Sequence, residues 1–169
     1  MRIEKFTQAV QGYITDAQSL AVGSDHAHVT PVHLLQSMLD AGDPTVVNLI
    51  KQAGGEPTAL QREVAVALDD VARLSNHNGE ITVAPELQRV LAKADVRARK
   101  FGDEFIAQDQ LLAALAEDNT LKKCFDTAGV QPAALDAAIK ERRAGQPVTD
   151  ANEDGESALA KYTIDLSER

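Results

Sequence analysis

The sequence has a single cysteine, no tryptophan, and only 4% aromatic residues. With Cys124 alone, no intrachain disulfide can form. Few aromatics leave a core to be built from Ala, Leu, Val and Ile, which favours helices over a β-sandwich. No apolar run approaches the ~20 residues that span a bilayer. Met1-Arg2-Ile3-Glu4-Lys5 has no apolar signal-peptide core behind it, so a cytoplasmic protein with no membrane partner is expected. No Gly-x-x-x-x-Gly-Lys-Ser/Thr occurs, so this chain offers no P-loop for ATP. Basic residues are outnumbered, 17 Lys and Arg against 26 Asp and Glu, giving a net charge of −9. Such a surface repels a phosphate backbone, and no nucleic-acid partner is expected. The short basic stretches Arg97-Ala98-Arg99-Lys100 and Lys140-Glu141-Arg142-Arg143 read as solvated helix faces.

What is present is a repeat. Gly102-Asp103-Glu104-Phe105-Ile106-Ala107-Gln108-Asp109-Gln110-Leu111-Leu112 reads as a turn, a buried Phe-Ile anchor and the start of an apolar helix. An earlier copy runs from Gly23-Ser24-Asp25 to His33-Leu34-Leu35. In each, a glycine is expected to close a helix in the left-handed conformation that lacks a Cβ clash. The periodicity of Ile3, Phe6, Val10, Tyr13, Ile14 and Ala17 predicts a first helix from about Glu4 to Val22. Thr30-Pro31 caps and opens a second helix with Leu34, Leu35, Met38 and Leu39 buried. A short helix carries Val46, Leu49 and Ile50, and Pro57 opens a fourth.

Ser75-Asn76-His77-Asn78-Gly79 marks the junction, and Ile81-Thr82-Val83 reads as a brief extended piece. The second unit then repeats the pattern. Leu87, Val90, Leu91 and Ala94 line its first helix, Leu111, Leu112, Leu115 and Ala116 its second. Leu121 through Gly129 mirrors Val46 through Gly54, and Pro132, Leu135 and Ile139 mirror Pro57, Leu60 and Val64. The fold class is therefore all-α: two tandem four-helix repeats packed as one pseudo-two-fold domain, 1–76 and 80–143. The polar, acidic stretch 144–157 is expected to be a flexible linker, since it holds too little apolar surface to offset ordering. Residues 158–169 regain apolar character and read as the start of a further structured segment of a longer protein. A monomer is expected, because the mirrored apolar faces are consumed within the pair.

Ile3-Glu4-Lys5-Phe6-Thr7, Asp16-Ala17-Gln18-Ser19-Leu20-Ala21, Pro31-Val32-His33-Leu34, Gly102-Asp103-Glu104-Phe105-Ile106 and the tail Lys161-Tyr162-Thr163-Ile164-Asp165-Leu166-Ser167-Glu168-Arg169 carry a resemblance. They are similar to the Clp N-terminal repeat domain of the ClpB-type AAA+ disaggregases. That resemblance implies a non-enzymatic module that binds exposed apolar segments of unfolded or aggregated proteins. It also implies an intact parent that uses ATP and Mg, forms a homohexamer and cooperates with DnaK, with 158–169 leading into its ATPase domain. By position, the resemblance assigns Thr7, Asp103 and Asp109 to a polar set linked to substrate processing. The last stands where a glutamate is usual, which keeps the charge and shortens the reach. Thr7, Val10, Leu91, Phe105 and Ile106 are candidates for the substrate groove. Lys93, Arg97 and Gln110 replace apolar groove residues of the family and alter its outline. The alternative is an adaptor-docking or regulatory cap, as in the proteolytic Clp ATPases.

Read from the residues alone, Asp103 and Asp109 are an acid–base pair or, more simply, charges that complement the helix beginning near Gln108. No nucleophile or deep polar pocket accompanies them, so no catalytic residue is expected. His26 and His28 point to opposite faces of an extended segment, and His33 lies in an apolar stripe, so no metal site is expected. Phe105 and Ile106 are core anchors, groove wall, or both.

Overall fold

A computed structural model of the chain describes residues 3–71 and 81–152. After a single 3-10 turn, Ile3–Lys5, helix α1 occupies Gln8–Gly23, followed by strand β1, His28–Val29. Helices α2 (Pro31–Asp40), α3 (Pro44–Gln52) and α4 (Pro57–Asp69) complete the first unit. The second unit holds strand β2 (Thr82–Val83), α5 (Pro85–Phe101), α6 (Gln108–Ala116), α7 (Asn119–Thr127) and α8 (Pro132–Arg143). Pro31, Pro44, Pro57, Pro85 and Pro132 each open a helix, where a missing N–H costs nothing and φ is already set.

The two units are joined reciprocally. Strand β1 pairs in parallel with β2, His28 opposite Thr82 and Val29 opposite Val83. On the other side, Phe6 pairs with Ile106: the Thr7 N–H donates to the Ile106 carbonyl at 3.0 Å, and the Ile106 N–H to the Lys5 carbonyl at 2.7 Å. The segment entering the first helix of each unit thus pairs with the segment entering the second helix of the other. Helices α3 and α8 pack together, as do α4 and α7. One apolar core, from Phe6 and Val10 to Leu135 and Ile139, runs through both units. At a further contact between the units, the Glu56 N–H donates to the Ala128 carbonyl at 3.0 Å. A Cβ on Gly55 would lie 2.2 Å from Val130 Cγ2, so no larger residue fits without displacing a neighbour.

Three boundaries differ from the sequence-based expectation. The first helix does not start at Glu4. Phe6 turns into the core and Thr7 is extended (φ −62°, ψ 162°), with its Oγ1 accepting from the Val10 N–H at 3.4 Å. Side-chain capping thus outweighs helical periodicity there. The left-handed residue is a glycine in one copy only, Gly102 (φ 96°); in the first unit it is Asp25 (φ 56°), and Gly23 remains the last residue of α1. The Asp103 and His26 amides, one residue on in each copy, both close back on an alanine carbonyl, of Ala98 and Ala21. Asp tolerates this conformation better than most non-glycine residues.

The third difference concerns the segment expected to be a linker from residue 144. Its described part, 144–152, is held on the body. Ala144 (φ 49°) and Gly145 (φ 80°) reverse the chain, and Val148 is buried at 2% exposure. Composition alone missed this because one valine and a few backbone bonds suffice when a buried carboxylate waits for them. The junction 72–80, the remainder of the expected linker (153–157) and the lead-in 158–169 lie outside the described residues.

Candidate functional site

The seven candidate residues gather on three pieces of chain: the entry to α1, the outer part of α5, and the turn into α6. Thr7, Val10 and Ile106 are buried, with Thr7 and Ile106 joined by the backbone pairing described above. Leu91 and Phe105 are half-buried, and Leu91 packs on the core from α5. Asp103 and Asp109 are brought together, with side chains fully buried. Their meeting is arranged by Arg143, which the sequence places on a solvated helix face and the structure buries.

Arg143 ends α8 one turn after Ile139 and two turns after Leu135, so the inward stripe carries it into the core at 3% exposure. At the matching position of the first unit stands Leu68. All five guanidinium N–H donors have acceptors. Nε and one Nη2 hydrogen bond Asp109, Nη2 at 2.9 Å. Nη1 and Nη2 reach the two Asp103 oxygens at 2.8 and 2.7 Å, and Nη1 also donates to the Gln146 carbonyl at 3.2 Å. The Phe101 ring lies 4.8 Å from Cζ, a cation–π contact. Burial alone would lower the Arg143 pKa, but the hydrogen bonds and charges of Asp103 and Asp109 hold it above its ordinary value. The carboxylates are completed by backbone amides: Gln110 N–H to Asp109 Oδ1 at 2.7 Å, and Val148 N–H to Asp103 Oδ1 at 2.8 Å. The signal in the sequence was a cation in phase with an apolar stripe whose repeat partner is leucine.

A second buried polar cluster joins the units. Asp43 caps α3, with Oδ1 accepting from the Thr45 N–H at 2.8 Å. Its Oδ2 accepts from the Tyr13 hydroxyl and from Gln108 Nε2, the latter at 2.9 Å. Gln108, Asp109 and Gln110 are all buried, so the first turn of α6 is enclosed on every side. That enclosure was not legible in its amphipathic pattern.

His33 is buried and forms a capping box with Thr30, its Nδ1 2.9 Å from both the Thr30 N and Oγ1. Its Nε2 meets His26 Nδ1 at 2.7 Å. Burial, reinforced by His26, lowers the His33 pKa to about 4. His28 is exposed and bonds Thr82 across the strand pair. Among the described residues no group of three or more His, Cys, Asp or Glu could hold a metal ion.

The face of α5 that carries Lys93 and Arg97 is crossed by polar contacts. Arg97 Nε donates to Gln110 Oε1 at 3.1 Å and its Nη2 binds Asp136, while Lys93 lies 3.6 Å from Glu117. The hydrogen bond from Arg97 holds the Asp136 carboxyl below its ordinary pKa. Beside the Arg97 contacts lies an open hollow of about 310 Å3, with Phe101 and Ile139 in its wall. A larger hollow, about 480 Å3, lies between the two units, lined by Thr30, Val32 and Val71 of the first and Pro85 of the second.

The family described as Clp repeat (R) N-terminal domain matches residues 5–128. The chaperone protein ClpB of Pseudomonas putida is 40% identical over 171 residues, covering 100% of this chain and 20% of the relative. ClpB of Dichelobacter nodosus is 36% identical over 168 residues, covering 98% and 20%. The chain thus spans about a fifth of the length of these relatives. Among solved structures, the Hsp104 N-terminal domain from Candida albicans superimposes with a TM-score of 0.78 at 26% identity, over 87% of this chain and 97% of that one. The N-terminal domain of the ClpV1 ATPase from E. coli shares the fold, with a TM-score of 0.69 at 23% identity over 90% and 92% of the two chains.

Proposed function

This chain belongs to the Clp repeat (R) N-terminal domain family, and from that membership we propose that it is the client-engaging N-terminal domain of a ClpB-type, ATP-dependent disaggregase. It contacts exposed apolar segments of unfolded or aggregated proteins. The observation that carries this reading is local. Leu91 and Phe105 remain half-exposed beside the turn 103–106, whose backbone and buried carboxylate already engage a neighbouring stretch of chain. Such a surface suits weak, sequence-tolerant contact. Weak contact is useful on a multimeric parent, where several copies gain avidity while each releases readily.

In this reading Thr7, Val10 and Ile106 act from beneath, as the buried floor that fixes the turn, and Asp103 and Asp109 hold its shape. Leu91 and Phe105 are the apolar side chains that touch client. The ATP and Mg, the homohexamer, the cooperation with DnaK and the cytoplasmic setting belong to the parent, with residues 158–169 leading towards its ATPase domain.

The test is a titration of isotope-labelled chain with a permanently unfolded, apolar polypeptide. Localised shifts are expected at Leu91, Phe105 and the neighbouring amides of Thr7 and Ile106. Spectra that stay unchanged at millimolar peptide would remove the reading.

A further inference from the structure

Gln146, Val148 and Ala151 lie against the body through backbone bonds of a kind that any polypeptide supplies. The Gln146 carbonyl accepts from Arg143 Nη1 at 3.2 Å. The Val148 N–H donates to Asp103 Oδ1 at 2.8 Å, and its carbonyl accepts from the Glu104 N–H at 2.7 Å. The Ala151 carbonyl accepts from the Gln8 N–H, at the start of α1, at 2.6 Å. Only one side chain of the segment, Val148, is fully enclosed. Pro147 packs over Gly102, where an added Cβ would stand 3.9 Å from Pro147 Cβ.

From this we propose that the strip formed by Gln8, Asp103, Glu104 and Arg143 is a binding site for a non-helical polypeptide segment bearing one small aliphatic side chain, and that residues 146–151 are its resident competitor. The proposal rests on the client-binding reading above and gives it a place and a chemistry.

The charge balance explains why a peptide backbone is the fitting ligand. Two buried carboxylates face one guanidinium, so the cluster carries an excess negative charge that N–H donors must offset. Asp109 receives its donor from within α6. Asp103 receives one from Val148. If the segment leaves, Asp103 loses that N–H and Arg143 loses an acceptor, while the Glu104 and Gln8 amides each lose a carbonyl. A client backbone restores all four, because it presents N–H and C=O groups in alternation. A lone side chain or small ion cannot. The first unit has no such strip: His26, Val32 and Leu68 stand where Asp103, Asp109 and Arg143 do. The site therefore occurs once among the described residues, and it adjoins Phe105, a proposed client contact.

The experiment uses the 169-residue chain and a synthetic peptide spanning residues 145–152 supplied in trans. Val148→Asp places a charge in the resident segment, leaves every residue of the strip intact, and should eject the segment. Removing a competitor that holds the site nine-tenths of the time raises apparent affinity about tenfold. We expect the variant to bind the peptide about tenfold more tightly than wild type, with shifts at the Gln8 and Glu104 amides. A peptide carrying the same Val→Asp change should not bind. A folded variant that binds no better than wild type would overturn the proposal.

A second measurement covers a variant that does not fold. In wild type, the Val148 methyl signals are followed during titration with the apolar unfolded polypeptide. Movement to solvent-exposed values supports displacement. Static Val148 signals, with Leu91 and Phe105 shifting, sink the resident-competitor proposal and leave client binding standing. No shifts anywhere would remove both.

Discussion

Arg143 shows how much a single side chain can organise. Burying a cation and two carboxylates is costly, and their attraction offsets the cost only when every donor and acceptor is matched. Here all five guanidinium donors are matched. Arg143→Ala leaves two carboxylates buried without a cation, and a loss of ~3–5 kcal/mol is expected, read as a lower urea midpoint. Arg143→Leu, which copies Leu68 of the other repeat, should be no milder, because the charge deficit is the same. If Arg143→Leu matched wild type, the cluster would be incidental. His33 gives a pH prediction. Its folded pKa, lowered to about 4 from 6.5, means that the unfolded chain takes up a proton which the folded chain refuses until much lower pH. Stability from this group is therefore complete above about pH 6.5 and is lost as pH falls towards 4, by roughly 2–3 kcal/mol. His33→Gln, the residue type that Gln110 supplies at the matching position, should flatten this part of the stability–pH profile in denaturant titrations.

Among the elements, the caps offer a comparison that the repeat sets up. Asp43 and Asp118 occupy matching positions at the starts of α3 and α7. Asp118 only caps, accepting from the Thr120 and Leu121 amides at 3.0 and 3.2 Å near the surface. Asp43 caps and also ties Tyr13 of α1 and Gln108 of α6 inside the protein. Asp118→Ala should cost about 1 kcal/mol. Asp43→Ala should cost at least twice that, since it also strands buried polar groups. Equal losses in parallel urea titrations would show that the inter-unit cluster contributes nothing. The helices themselves were legible because prolines and apolar stripes mark where they start and what they bury. Helix α6 was the exception in degree. Its Leu-Leu stripe was readable, whereas the enclosure of Gln108, Asp109 and Gln110 arises from packing by the other unit.

At the scale of the whole molecule, the reciprocal strand pairs and the shared core make the repeats one cooperative body. Probes in either unit should therefore report coincident urea transitions. Two separated transitions would mean that the units are stable alone. Gly55 tests the seam directly. A methyl there would sit 2.2 Å from Val130 Cγ2 and 3.0 Å from the Ala128 carbonyl, so Gly55→Ala should cost about 1–3 kcal/mol. Because the seam is shared, that loss should lower the midpoint of both units together.

Local chemistry, written in the sequence, determined the helical class, the duplicated unit and the positions of its turns. Capping residues, prolines and apolar periodicity act within a few neighbours, and reading them needs no partner. Tertiary structure alone decided what the charged residues do. Asp103 and Asp109 read as charges that complement a helix start until Arg143, from the far end of the second unit, entered the core between them. Residues 146–151 looked like solvated linker until that same cluster supplied a buried acceptor for the Val148 amide. Such outcomes depend on which distant groups folding brings within hydrogen-bond reach, and no local pattern encodes that distance.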